Sequence, residues 1–130
     1  MSQRSQHRRA NQRARQRGKA NQRETARILR EVDKELRNIG IVGEEDLVGK
    51  YLVVECKERQ KIPKWLFSAF EQLRPERHPT KIHVVQLHVF GMQRVRDLIL
   101  MSMRTFIELL KGYILWEESG REKDERSLPT

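Results

Sequence analysis

The sequence predicts a mixed α/β domain in which helices flank a central mixed β-sheet. Two observations support this prediction. Three segments have apolar residues at the spacing of amphipathic helices, and short aliphatic, β-branched runs are separated by turn residues. Along the chain these segments follow the order helix, hairpin, helix, hairpin, helix. The length of 130 residues allows one domain with a modest core.

The first 23 residues form a basic arm that contains no acidic residue. The arm buries too little apolar area to offset the entropy lost on ordering, so we expect residues 1–19 to be flexible. The formal net charge of +9 favours a polyanionic partner, nucleic acid first. A solvated tail is the alternative for the arm. The residues expected to contact DNA are Arg13, Arg15, Arg17, Lys19, Arg23, Lys61 and Lys64.

Residues 21–38 predict the first helix, with Asn21 as N-cap, Glu24 three positions later as in a capping box, and Gly40 as its stop. Residues 39–48 predict a short extended segment. Gly49 and Lys50 predict a turn, and residues 51–57 predict the clearest strand of the chain. The two extended segments are close enough in sequence to form a hairpin.

Residues 62–73 predict a second helix, with Pro63 in its first turn. A loop over 74–81 leads to a second hairpin, formed by residues 82–90 and 97–101 around a basic turn. The last helix is expected to begin at Met103 or Arg104 and to end at Leu115. Residues 20–116 are therefore the predicted folded domain, and residues 117–130 a charged, frayed tail.

The end of the predicted strand 51–57 carries residues suited to phosphodiester hydrolysis. That reaction needs oxygen ligands for a divalent metal and a cation near the developing charge. Glu55 and Lys57 point to the same face of a strand, so a carboxylate and an ammonium lie side by side. Cys56 points to the opposite face, but its backbone carbonyl is still able to reach a metal beside Glu55.

Further carboxylates precede this strand. Asp46 lies nine positions before Glu55 across the Gly49 turn, and an antiparallel hairpin would bring the two together. A register slip of one residue would turn Asp46 to the wrong face, so Glu44 and Glu45 remain rival ligands, with Asp46 ranked first. Glu24 on the first helix would provide a third carboxylate if that helix packs over the end of the sheet.

These residues, in this order, resemble the PD-(D/E)XK nuclease superfamily, and within it small phage-encoded and archaeal-type Holliday-junction resolvases. The resemblance is carried by Arg23-Glu24, Glu45 to Gly49, Val54 to Gln60, Trp65 and Gln72, and it spans about residues 19–110. It implies a restriction-endonuclease-like order of elements, α-β-β-β-α-β-β-α. The site residues that it implies are Asp46, Glu55 and the Cys56 carbonyl as metal ligands, Glu24 completing the site, Lys57 orienting the attacking water, and Gln72 lining the site.

The resemblance further implies Mg²⁺ as cofactor, with Mn²⁺ able to substitute, and DNA as substrate, at four-way junctions or other branches. Symmetric cutting of a junction needs two active sites and therefore a homodimer. Two alternatives remain: a non-catalytic basic nucleic-acid-binding protein, and a nuclease of this superfamily with a nicking, repair or restriction role.

The expected compartment is the cytoplasm, which is the host cytoplasm if the protein is phage-encoded. A single cysteine, Cys56, cannot form an intrachain disulfide. No apolar run approaches the roughly 20 residues that span a bilayer, so no membrane association is expected. The polar N-terminus has no apolar stretch typical of a secretory signal.

Overall fold

The computed structural model describes residues 2–39 and 46–127, with side chains to residue 125. The chain divides into two compact units, Met1–Gln60 and Lys61–Thr130. Their boundary falls inside residues 20–116, the segment predicted as one domain. The predicted roles of Gly40, Glu44 and Glu45 lie outside the described residues.

The described elements give a mixed α/β fold, which confirms the predicted class. Along the chain their order is α-β-β-β-α-β-β-α, as the resemblance implies, and it includes a strand, β1, within residues 21–38, which were predicted as helix. The elements of the first unit are α1 (Gln3–Leu29), β1 (Arg37–Asn38), β2 (Leu47–Val48) and β3 (Val53–Val54). Those of the second unit are α2 (Lys64–Gln72), β4 (Val85–Leu87), β5 (Leu98–Leu100) and α3 (Met103–Ser127), with short 3₁₀ turns at Pro75–Arg77 and Arg94–Arg96.

The strands form two small antiparallel sheets. In the first, β2 lies between β1 and β3, with Leu47 opposite both Asn38 and Val54. In the second, β4 pairs with β5, and Val85 lies opposite Leu100. Both predicted hairpins are therefore confirmed. Among the described residues all strand pairs are antiparallel, so the single mixed sheet expected from the sequence is not present there.

Both predicted ends of the first helix are wrong. α1 begins at Gln3, where the Ser2 hydroxyl accepts the backbone N–H of Ser5 at 3.4 Å, and it ends at Leu29 rather than at residue 38. It therefore includes the basic arm that we expected to lack regular structure. The physical reason is local, because the arm consists largely of Arg, Gln and Ala, which are strong helix formers. The exposed turns extend a helix whose other end is packed, so no new nucleation is needed.

The core of the first unit combines apolar side chains with one buried carboxylate. Asp33, 1% exposed, accepts the backbone N–H groups of Lys50 at 3.1 Å, Tyr51 at 2.9 Å and Leu52 at 3.0 Å. These bonds direct two of the amides in the predicted strand 51–57 away from sheet pairing, so β3 is shorter than predicted. The buried apolar residues around it are Ala26, Leu29, Leu36 and Leu47.

The turn before β3 requires a glycine. A Cβ atom on Gly49 would lie 2.6 Å from the Cγ atom of Asp33, which is closer than two such atoms approach. Gly49 N–H also donates to the carbonyl of Leu52 at 2.8 Å and closes the turn. The predicted turn at Gly49 is confirmed, and the carboxylate of Asp33 explains why this position needs a residue without a side chain.

In the second unit, α2 follows Pro63, and the chain leaves it through Arg74 in the left-handed region, at φ 46°. The last helix, α3, buries Ile107 and Leu110. It continues to Ser127, so the predicted end at Leu115 is wrong, and residues 117–127 of the predicted frayed tail are helical. Opposite charges one turn apart, such as Glu117 and Arg121 at 4.0 Å, favour helix in this charged segment.

No helix among the described residues is long and apolar enough to cross a membrane.

Candidate active site

The β2–β3 hairpin brings Asp46 to the segment that carries Glu55, Cys56 and Lys57. Asp46 immediately precedes β2, and Glu55 immediately follows β3, so each lies one position beyond the pair formed by Leu47 and Val54. The Cys56 backbone N–H donates to Asp46 Oδ2 at 2.7 Å. The predicted proximity of Asp46 to this segment is therefore present in the first unit.

A second hydrogen bond fixes Asp46 from the helix side. Gln22, on α1, donates its Nε2 to Asp46 Oδ1 at 3.1 Å. The Gln22 Oε1 in turn accepts from Asn38 Nδ2, on β1, at 2.9 Å. Within residues 2–39 and 46–127, the Asp46 carboxylate is thus held by one bond on each oxygen. Since a carboxylate oxygen has two lone pairs, each oxygen retains acceptor capacity for a further partner.

Glu55 and Lys57 form the ion pair expected from their strand spacing. Lys57 Nζ lies 3.0 Å from Glu55 Oε1. Both side chains are more than half exposed, at 52% for Glu55 and 65% for Lys57. The pair adds little to stability at this exposure, since water screens it. Its consequence is positional, because it joins a carboxylate and an ammonium on either side of Cys56, whose backbone N–H contacts Asp46.

Cys56 lies partly buried between these charged groups. Burial raises the pKa of its thiol, and the negative charges of Asp46 and Glu55 raise it further, while a hydrogen bond with Thr25 acts in the opposite direction. A thiol with a raised pKa is protonated at neutral pH and is a poor nucleophile and metal ligand. The role of the Cys56 backbone carbonyl as a metal ligand stays a prediction.

Glu24, predicted as the third carboxylate, lies on α1 and is paired with Arg27 one turn later. Arg27 Nε donates to both carboxylate oxygens, at 3.1 and 3.2 Å, and Arg27 Nη2 makes a further ion pair with Oε1. The hydrogen bond from Arg27 lowers the pKa of Glu24. Its role as a metal ligand stays a prediction, and in this structure its carboxylate is engaged by a neighbouring guanidinium.

The donor set of the hairpin suits a hard cation. Across the described residues, no three His, Cys, Asp or Glu side chains form a metal-binding group. Mg²⁺, however, is commonly held by one or two carboxylates and keeps several of its waters. Asp46 and Glu55 supply such carboxylates, and the Cys56 carbonyl is a further oxygen donor. The chemistry of these residues therefore fits Mg²⁺, with Mn²⁺ as an alternative of similar preference.

Three predicted site residues belong to the second unit. Gln72 is the last residue of α2, Lys64 is its first, and Lys61 lies three positions before it. All three side chains are exposed. Their predicted roles, lining the site for Gln72 and contacting DNA for the two lysines, stay predictions.

The predicted DNA-contacting residues of the arm are all exposed on α1. At 3.6 residues per turn they fall into two rows. Lys19 and Arg23 continue the row of Arg15, and Arg17 lies one turn after Arg13 in the other row. The charges that were expected on a flexible arm therefore lie in two rows along a helix. Contact with DNA stays a prediction.

The polar side chains that contact Asp46 and Cys56 were not among the residues predicted from the sequence. Gln22 and Thr25 lie on α1 within one turn of Glu24, and their signal was weak because polar residues are common on exposed helix faces. A hydrogen-bonded pair in the second unit was also not predicted: His88 Nδ1 lies 2.5 Å from Asp97 Oδ1. These two residues extend the β4–β5 register by one position, so counting outward from the hairpin turn would have found them.

Comparison of the chain with models of known protein families, with curated proteins and with solved structures finds no match.

Proposed function

We propose that the chain is a metal-dependent endonuclease that hydrolyses phosphodiester bonds in DNA. The observation that supports this proposal is the end of the β2–β3 hairpin, where Cys56 N–H holds Asp46 at 2.7 Å and Glu55 pairs with Lys57 at 3.0 Å. Two carboxylates beside one ammonium are the groups that metal-assisted phosphodiester hydrolysis requires. The proposed arrangement of the whole chain is restriction-endonuclease-like.

Each residue has a distinct part in this proposal. Asp46, fixed by Gln22 and by the Cys56 N–H, offers a rigid carboxylate, while Glu55 offers an exposed one. Together with the Cys56 carbonyl they would hold Mg²⁺, which when bound polarises a phosphate oxygen and lowers the pKa of a water. Lys57, kept in place by Glu55, would orient the attacking water and stabilise negative charge on the phosphate.

The proposed substrate is branched DNA, with four-way junctions as the first choice. The proposed oligomeric state is a homodimer. Two symmetric cuts across a junction need two copies of the site, which a two-fold dimer supplies. The exposed arginines of α1 support a nucleic-acid substrate, because they would neutralise backbone phosphates without reading sequence. Gln72, Lys61 and Lys64 are proposed to face the same substrate.

A cleavage assay tests the reaction. The purified chain is incubated with a four-way junction, a linear duplex and single-stranded DNA, each with Mg²⁺, with Mn²⁺ or with EDTA. Glu55→Gln removes a proposed ligand, and Glu35→Gln, an exposed acid of the same unit, is the matched control. We expect metal-dependent cleavage, strongest on the junction, that Glu55→Gln reduces by about 10²-fold or more and Glu35→Gln leaves unchanged.

The outcomes separate the candidate functions. Absence of metal-dependent cleavage on every substrate would refute the nuclease proposal. Equal cleavage of duplex and junction would leave a nuclease with a nicking, repair or restriction role. Binding without cleavage would favour a non-catalytic nucleic-acid-binding protein, the second candidate, which the exposed basic helix α1 supports.

A further inference from the structure

A cavity of about 400 Å³ lies within the first unit, next to the segment that follows Glu55. One wall is the α1 face formed by Ala14, Arg17 and Gly18, and the other is the segment 56–60. The three helix residues share a face because they are three and four positions apart. Ala14 and Gly18 have little or no side chain, so they leave room beside Arg17 on this face. The volume lies within the range of small-ligand sites.

The lining of this cavity is strongly cationic. Arg17, Lys57 and Arg59 contribute three positive charges, and Glu58 contributes one negative charge. Among the described residues Arg17 has no ion-pair partner, and Arg59 uses one Nη1 donor for the carbonyl of Glu58 at 2.9 Å. The guanidinium groups thus retain donors that suit the paired oxygens of a phosphate.

The chemistry of the lining points to a phosphate rather than a base. Bases are held by stacking on aromatic rings or by hydrogen bonds that read their edges. The lining contains no aromatic residue. Arginine forks in a cationic cavity instead bind backbone phosphates irrespective of sequence. The cavity lies close to the proposed metal site, because the Cα atoms of Glu55 and of Lys57, which lines the cavity, are at most about 7 Å apart.

We propose that this cavity binds a DNA backbone phosphate adjacent to the one that is cleaved, with Arg17 and Arg59 as its ligands. This site deepens the proposed nuclease function. Its position next to the cleaved phosphate rests on that function, whereas phosphate binding by Arg17 and Arg59 does not. It assigns to Arg17 a role different from that of the other arm residues, because Arg17 completes a site together with the segment after Glu55.

A double-mutant cycle tests the shared phosphate. The affinity for a fluorescent four-way junction is measured by anisotropy in EDTA, so that cleavage does not interfere, for Arg17→Gln, Arg59→Gln and the double variant. Arg4→Gln is the matched control, since Arg4 is exposed on the same helix and lies about 15 Å along it from Ala14. Circular dichroism verifies that each variant keeps its helix content.

We expect Arg17→Gln and Arg59→Gln each to weaken binding by roughly five- to tenfold and to lower the salt slope by about one. Since both residues bind one phosphate, their effects should not multiply. The double variant should bind the junction at least about threefold more tightly than the product of the two single effects predicts. Arg4→Gln combined with Arg59→Gln should be multiplicative.

Several results would overturn the inference. These are multiplicative effects of Arg17→Gln and Arg59→Gln, or an effect of Arg17→Gln no larger than that of Arg4→Gln. The proposed function fails separately. Coupled binding without Mg²⁺-dependent cleavage would retain the phosphate site and refute the nuclease, whereas cleavage with no Arg17 dependence would do the reverse.

Discussion

Replacing Asp33 with alanine removes the carboxylate that holds the turn before β3. Asp33 is 1% exposed and accepts three backbone N–H groups, from Lys50, Tyr51 and Leu52, at 2.9 to 3.1 Å. A hydrogen bond to a charged acceptor contributes about 1.5–3 kcal/mol, and an unsatisfied buried N–H costs about 1–3 kcal/mol. Because the three bonds share one group and water refills part of the space, we expect Asp33→Ala to lower the free energy of unfolding by about 3–5 kcal/mol.

Asp33→Asn provides an internal scale for this estimate. One carboxylate oxygen, Oδ2, accepts from both Tyr51 and Leu52, and an asparagine carbonyl placed there keeps those two bonds. The amide NH₂ then faces the Lys50 N–H, donor against donor. We therefore expect Asp33→Asn to cost about 1–2 kcal/mol, which corresponds to the loss of one bond and of the charge.

Urea unfolding followed by circular dichroism measures the loss of stability, with Glu35→Ala as an exposed acidic control in the same turn region. Hydrogen exchange measured by NMR provides the local test, since the amides of Lys50, Tyr51 and Leu52 should lose protection in Asp33→Ala. If Asp33→Ala unfolds at the same urea concentration as Glu35→Ala and these amides remain protected, the assignment of Asp33 as the group that holds the turn is wrong.

Three further predictions concern the turn, the thiol and the second hairpin. Gly49→Ala should destabilise the chain by about 2–3 kcal/mol in the same urea assay, because the added Cβ would displace the carboxylate beneath it; an unchanged midpoint would contradict this. Asp46→Asn in EDTA should speed alkylation of Cys56 by iodoacetamide about two- to fivefold at pH 8, because it removes a charge that raises the thiol pKa; a slower reaction, read by mass spectrometry, would count against it. The pKa of Asp97 is lowered, chiefly by its hydrogen bond with His88. Its stabilising contribution is therefore complete above the ordinary aspartate pKa and is lost as the pH falls below about 4. The protection factors of the β4–β5 amides, which correct for the intrinsic pH dependence of hydrogen exchange, should fall there, and Asp97→Asn should remove this acid dependence.

Local patterns in the sequence were enough to predict the three helices and the two hairpins in their order, but not β1, which lies within the residues predicted as the first helix. The runs around Val53 and Val85 gave both hairpins, since β-branched residues and the turns between them act over a few positions. The same two-residue periodicity predicted that Glu55 and Lys57 would lie side by side. These features depend on residues near one another in sequence, for which propensity and spacing are sufficient.

Element ends could not be predicted in this way. Propensity extends α1 back to Gln3 and α3 on to Ser127, although few of the added residues are buried. Conversely, β3 shrinks to two residues because Asp33, about 20 positions earlier, takes the amides of Tyr51 and Leu52. The local sequence pattern of a strand does not show that a carboxylate elsewhere in the chain will accept its backbone N–H groups.

The sequence by itself therefore determined the class of fold, the hairpin that ends before Glu55, and the pairing of Glu55 with Lys57. It also ranked Asp46 first as the second carboxylate, a role that stays a prediction. Tertiary structure alone decided how these groups are held: Gln22 and the Cys56 N–H fix Asp46, while Arg27 engages Glu24. The physical reason is that strand spacing and turn position are local, whereas hydrogen-bond partners depend on which distant side chains reach the same carboxylate. The cavity beside Arg17 likewise exists because α1 continues as a helix past the segment that follows Glu55.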